Sequence, residues 1–494
     1  MRTAAHFCVA LALSAGAAAR VPDIDPLRSY ETPSYTLIAT EKFNAPAFVP
    51  LIANFEKLLA KMLATDVRPT GTPTYIYVVR ARTWNRYLRP SRDIAGEFVP
   101  TRFANYLLLN ADVGHTQVHA GVLHEYTHLF LRTQFGGYYP LWFDEGLAEM
   151  MSRTQMRRDL AIIGVPDPAF ASGWLPVARL LEIDKSSAEY LEAPTTEYVH
   201  RESWALMHRG LIADTNFGGG IFRYLKAVNE LQPAKDAVQD SFGMSVAQLD
   251  STLRAYLAQT SFDVGRISFE PAPPVALGQG RLLDPAEANA SLARVMLDTG
   301  FNPQHVDELI DAAEIAAPGS PRVAVLRLRL AVRDRNDGEV ERISQSLLDT
   351  SAPAIARGVG LALFERVRET APKDSLSAAA QTRIGERAFA LLDRGLRADS
   401  SDPEAAWAYA LLAARFKAQL DVALERLASV KERMRDNADL AMATALVYEA
   451  REEPEAMLPQ IVEVARHASS IEQRRWAVRR YRELLEGQRK AAPE

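Results

Sequence analysis

The sequence predicts a mixed α+β domain over residues 20–265 followed by an all-α domain over residues 284–494. Three observations carry this prediction. β-like runs alternate with an amphipathic helix before residue 110, a break rich in proline and glycine falls at 270–280, and everything beyond it has helical spacing. A length of 494 residues agrees, because one ordinary core does not grow that large.

The first segment, "MRTAAHFCVALALSAGAAAR", sets Arg2 ahead of an apolar run that closes on Ala17, Ala18 and Ala19. That is the layout of a secretory signal peptide over residues 1–19, so the chain is expected to be exported, periplasmic or secreted. The run is short for an uncleaved membrane anchor. Cys8 is the only cysteine and lies within the run. A cleaved chain therefore has no disulfide and no thiolate, and any metal must be held by nitrogen and oxygen. No later segment has the apolar length of a membrane span. With 57 basic against 62 acidic residues, neither a nucleic acid nor an anionic membrane is expected as partner.

"YTLIAT" (35–40), "PTYIYVVRA" (73–81) and "NYLLLN" (105–110) read as strands, and "AFVPLIANFEKLLAKMLA" (47–64) as a helix. Residues 115–260 read as mainly helical. In "EPAPPVALGQG" three prolines and two glycines interrupt the periodicity, so 266–283 is expected to be a linker and a chain ending near 265 is expected to fold by itself.

The run "GVLHEYTHLFLRTQFGGYYPLWFDEGLAEMM" carries the chemistry. His124 and His128, four apart on a helix, point to one side and can grip one ion. Glu125 borders that face, where its carboxylate reaches a water beside the metal. His115 and His119 repeat the spacing with no glutamate between them, so spacing alone does not decide. Gly136 and Gly137 can end the helix, Pro140 starts another, and Glu145 and Glu149 share a face of that second helix. A catalytic zinc site needs three protein ligands and an open position, and Glu145 supplies the third. Asp144 reads as a solvated or capping carboxylate, His208 as a satisfied core residue, and Tyr138, Tyr139 and Trp142 as packing or cleft-wall residues.

HEYTH followed, after sixteen intervening residues, by the Glu of "EGLAE" resembles the gluzincins, the zinc metallopeptidase clan of thermolysin and the zinc aminopeptidases. The resemblance covers roughly residues 30–260 and implies a zincin-like fold. It further implies that Glu149 buttresses a ligand histidine, that an edge strand above the cleft pairs with extended substrate, and that a downstream Tyr or His stabilises the oxyanion. Tyr198 in "TTEYVHRESWALMHRGL" is the candidate for that last role, with packing under the helix as the alternative; His200 and His208 follow.

Past the break, helix breakers recur at intervals close to a helix pair: Pro321 to Pro353 is 32 residues and Pro403 to Asn437 is 34. This region resembles tetratricopeptide repeats, which have a period near 34, without matching their consensus closely; an irregular helical bundle is the alternative.

The resulting expectation is a zinc-dependent peptidase in which His124, His128 and Glu145 hold Zn2+, Glu125 is the general base and the repeats recruit a protein partner or substrate. Endopeptidase action is favoured, because the "G-x-M-E-N" sequence of zinc aminopeptidases is absent. The alternative is an inactive zincin-like scaffold whose repeats mediate protein–protein interaction.

Overall fold

The computed structural model describes residues 22–68, 71–88, 96–112, 115–135, 138–166, 173–230, 232–348, 352–368, 376–434, 436–468 and 470–491. The expected signal peptide, Gly136 and Gly137 lie outside the described residues.

The N-terminal sheet contains β1 (Leu27–Glu31), β2 (Thr36–Thr40), β3 (Thr74–Val79), β4 (Gly96–Pro100) and β5 (Asn105–Asn110). Helix α1 (Ala45–Met62) makes the crossover that lets β2 and β3 run parallel. β5 is parallel to β3, and β4 turns back antiparallel on β5, with Phe98 opposite Leu107. A small second sheet holds β6 (Gln155–Met156), β7 (Leu160–Ile163) and β8 (Gly265–Ser268). Strand β9 (Arg281–Leu282) extends the first sheet, whose order is β4-β5-β3-β2-β1-β9.

Two of these strands correct the sequence reading. β8 and β9 both fall in 265–283, so the segment expected as a linker is woven into both sheets. Likewise, the span 115–260 contains β6 and β7 in addition to its helices.

The alternation of the strands gives the first sheet two apolar faces. Leu37, Ile76, Val78, Leu107 and Leu109 pack on α1 and on helices α2 (His115–Phe130) and α3 (Leu141–Ser152). Helices α4 (Thr195–His208), α5 (Thr215–Asn229), α6 (Ala234–Phe242) and α7 (Val246–Leu257) complete that core. Ile38, Tyr77, Val79, Tyr106 and Leu108 face the other way. They are buried by α8 (Pro285–Thr299) and α9 (Val306–Ala316), through Leu292, Val295, Met296, Leu309 and Ile310. Tyr106 also donates a hydrogen bond to Asp298, which pairs with Arg329 at 2.5 Å. The first two helices past the break therefore complete the core of the α+β domain.

The rest is a row of helical hairpins: α10 (Pro321–Arg333), α11 (Asp337–Leu347), α12 (Pro353–Arg368), α13 (Ala378–Ala398), α14 (Pro403–Phe416), α15 (Leu420–Lys431), α16 (Ala438–Ala450), α17 (Pro454–His467) and α18 (Ile471–Ala491). Pro321, Pro353 and Pro403 each occupy a first helical turn, where the absent N–H costs nothing, and Asn437 caps α16 through Leu440 N–H. No helix among the described residues is long and apolar enough to cross a membrane.

The hairpins return to the first domain. The backbone at Gly71 abuts that of Arg433, leaving no room for a Cβ. The turn at Arg102 and Phe103 enters the core of the repeats, and Arg474 of α18 lies 4.0 Å over the ring of Tyr138 while donating to the carbonyls of Ala465 and Val228.

Candidate metal centre

α2 presents His124 and His128 one turn apart, and α3 crosses it to bring Glu145 between them. On its other side α3 packs closely on α4 because residue 146 is glycine: a Cβ there would fall 2.3 Å from the Ser203 carbonyl oxygen of α4 and 2.7 Å from Met207 Cγ. His124 Nε2 and His128 Nε2 are 3.1 Å apart, and each lies 3.5 Å from Glu145 Oε2. Ligand atoms around a tetrahedral zinc at about 2.0–2.1 Å are separated by roughly 3.3 Å, so the triangle has zinc dimensions. Glu145 Oε2 is fully buried without a hydrogen-bond donor, whereas Oε1 accepts from the Tyr190 hydroxyl at 2.8 Å. An orphaned carboxylate oxygen facing two imidazole nitrogens suits a cation. These observations fit the donor set to Zn2+.

Carboxylates surround the ligands. His128 Nδ1 lies 2.6 Å from Asp144 Oδ1, and Lys185 Nζ lies 3.1 Å from Asp144 Oδ2. Asp144 is buried, so the sequence reading of a solvated or capping group is corrected: it orients a candidate ligand. Glu149 Oε1 is 3.7 Å from Nδ1 of the candidate ligand His124 and hydrogen-bonds His200 Nδ1 at 2.9 Å. Glu149 thereby links α2 to α4.

The electrostatics are those of a compact ionic cluster. Burial disfavours the imidazolium of His128, but the carboxylates of Asp144 and Glu145 outweigh it and hold its pKa well above the ordinary value. Burial likewise opposes ionisation of Glu145, yet His128 and His124 hold its carboxyl well below the usual range. His200 is pushed up to about 9, against burial, by Glu145 and Glu149. Burial pushes Glu202, on the same helix, up to about 8 despite the backbone N–H of Leu175 that its Oε1 accepts.

Glu125 faces the sheet. Its Oε2 accepts the Phe98 N–H of β4 at 2.7 Å. β4 is the edge of the first sheet, and Gly96 lets its backbone lie close, since a Cβ there would meet Leu109 Cδ2 at 2.7 Å and Glu125 Cγ at 3.4 Å.

The sequence reading missed Tyr190 and named His200 only as following Tyr198. Tyr190 and His200 stack in parallel, 6.0 Å between centroids, and His124 continues the stack at 6.0 Å. His200 shares the local "EYVH" with Tyr198, and nothing in the sequence around Tyr190 singles it out. Tyr198 is two positions from His200 and so points to another side of α4. Its hydroxyl lies against the backbone of Gly173 and its ring under Arg201, an arrangement of packing, and the structure does not bring it into the cluster. His119 Nε2 is 3.3 Å from the Thr154 carbonyl, outside the centre. His208 is buried between the Tyr256 hydroxyl at 2.7 Å and the Asp263 carbonyl at 3.0 Å. Tyr138, Tyr139 and Trp142 pack against the core.

No family model matches the chain, and no curated protein matches it. Among solved structures, a thermophilic TPR protein of Thermus thermophilus is similar at 14% identity and a TM-score of 0.31, over 41% of this chain and 99% of that one.

Proposed function

We propose that the chain is an exported zinc-dependent peptidase of gluzincin type, with His124, His128 and Glu145 as metal ligands. The observation that carries the reading is the convergence of His124 Nε2, His128 Nε2 and the orphaned Glu145 Oε2 at 3.1–3.5 Å. Zinc bound there would supply Lewis-acid chemistry, lowering the pKa of a water and polarising a peptide carbonyl.

The chain's own residues divide the remaining work. Glu125 takes the proton of the attacking water and hands it to the leaving amine. Its bond from Phe98 N–H holds the carboxylate against β4, the strand edge along which an extended peptide can pair. His200, held by Glu149 at 2.9 Å beside the ligands, takes the oxyanion-donor role first considered for Tyr198. Asp144 fixes the ring orientation of His128, and Glu149 that of His200 beside His124. The repeats remain the surface for a protein partner or substrate.

Metal analysis of the purified protein, alongside peptide-library hydrolysis by wild type and Glu125→Gln, tests this reading. One zinc per chain with turnover only in the wild type is the expected result. A chain that neither contains nor binds zinc overturns it.

A further inference from the structure

We infer that the helical repeats position the general base, by gripping the tip of the β4–β5 hairpin. This rests on the peptidase reading for Glu125, but its structural half is independent of turnover.

The hairpin tip is not a free loop. Thr101 and Ala104 close a tight turn, with Thr101 N–H and Oγ1 both donating to the Ala104 carbonyl at 2.8 Å. The two residues between them are held by α14 and α16, with α12 behind Trp407 of α14. The Phe103 ring is buried in the repeat core, 5.4 Å from Trp407 of α14, which itself meets Phe364 of α12 edge to face at 5.1 Å. The Arg102 guanidinium lies 4.2 Å over the Trp407 ring and 3.1 Å from Asp439 of α16. Asn437, which caps α16, donates its Nδ2 to the Arg102 carbonyl at 3.3 Å. An aromatic pair, a cation over an aromatic face and an ion pair thus meet on two residues.

β4 needs such an anchor. It is five residues long and pairs only with β5, so half of its backbone ladder is unsupported. Phe98 sits three residues before Thr101, where the turn starts, roughly 10 Å along an extended strand, and its N–H on Glu125 Oε2 is the outward bond of that strand. A tip released from Trp407 frees β4 to shift, and Glu125 loses the donor that orients it. Phe103, Arg102 and Trp407 are therefore positioning residues, acting on the centre through Phe98.

The test compares full-length wild type with Trp407→Ala, Trp407→Phe and Arg102→Gln. Amide exchange over residues 96–100, zinc content, kcat and KM are measured. In Trp407→Ala, exchange of the β4 amides should rise at least tenfold while zinc stays at one per chain, and kcat should fall about tenfold with KM within twofold. Trp407→Phe should restore both, because the aromatic face is kept. Arg102→Gln removes the cation without opening the repeat core and should show the same pattern more weakly; it decides the matter if Trp407→Ala does not fold. Unchanged β4 exchange in a folded variant overturns the inference, as does raised exchange with unchanged kcat. Absence of zinc or turnover in the wild type sinks the peptidase reading instead, and leaves the exchange result to judge the anchoring.

Discussion

The Tyr190 hydroxyl donates to Glu145 Oε1 at 2.8 Å, and this single bond determines which oxygen of the carboxylate faces His124 and His128. Tyr190→Phe should therefore lower zinc affinity by roughly 10–100-fold without unfolding the chain, as should Asp144→Asn beside His128. Competition with a zinc chelator checks both. Wild-type affinity in the two variants would mean that the ligands hold their own orientation.

Glu125→Gln should keep one zinc and lose hydrolysis by at least 10²–10⁴-fold, because an amide cannot accept the proton. Elemental analysis beside single-turnover peptide hydrolysis reads the two effects separately. Activity near wild type would assign the base elsewhere.

His200→Asn should cut kcat by about 10²–10³-fold with little change in KM, whereas Tyr198→Phe should leave turnover unchanged. The contrast follows from the two faces of α4: one meets Glu149 and the other Gly173. A fall in kcat for Tyr198→Phe alone would restore Tyr198 as the oxyanion donor.

Glu202 makes stability fall towards alkaline pH. Its folded pKa of about 8 lies above that of an unfolded glutamate, about 4.3. Its contribution is thus fully present below the unfolded value and is lost as pH rises through about 8. Glu202→Gln keeps an acceptor for Leu175 N–H and carries no charge. Its melting temperature should match wild type near pH 4 and exceed it by roughly several degrees at pH 8. A gap that does not widen with pH would show that Glu202 titrates normally.

A chain ended at 265 should aggregate and bind no stoichiometric zinc, the reverse of what the proline-rich break suggests. It loses most of β8, all of β9 and the helices that bury Ile38, Tyr77, Val79, Tyr106 and Leu108. A chain ended at 316, after α9, should recover solubility, which size-exclusion chromatography measures. Soluble zinc-binding protein from the shorter chain would show that the outer face of the sheet needs no cover.

What was legible in the sequence follows from local pattern. "TYIYVV" and "NYLLLN" are dense in β-formers, and their strands lie where the pattern puts them. "GEFVP" was not legible, because Gly96 and Pro100 are poor strand residues tolerated only at an edge. β8 and β9 were hidden by the prolines and glycines around them. His124, His128, Glu145 and Glu149 could be grouped because helical spacing sets them on faces. Tyr190 and His200 reach the same point from 45 and 51 residues away, through contacts that no local period encodes. Asp144 looked like a first-turn helix acid, and only the crossing of α2 reveals that it faces His128.

The short strand β9 has a consequence for colloidal behaviour. Without it β1 would offer a bare row of amides and carbonyls to any second copy of the chain. Covering that rim with two residues, one of them the exposed Arg281, leaves too little ladder for another molecule to extend. That rim is thereby blunted against fibre-like stacking.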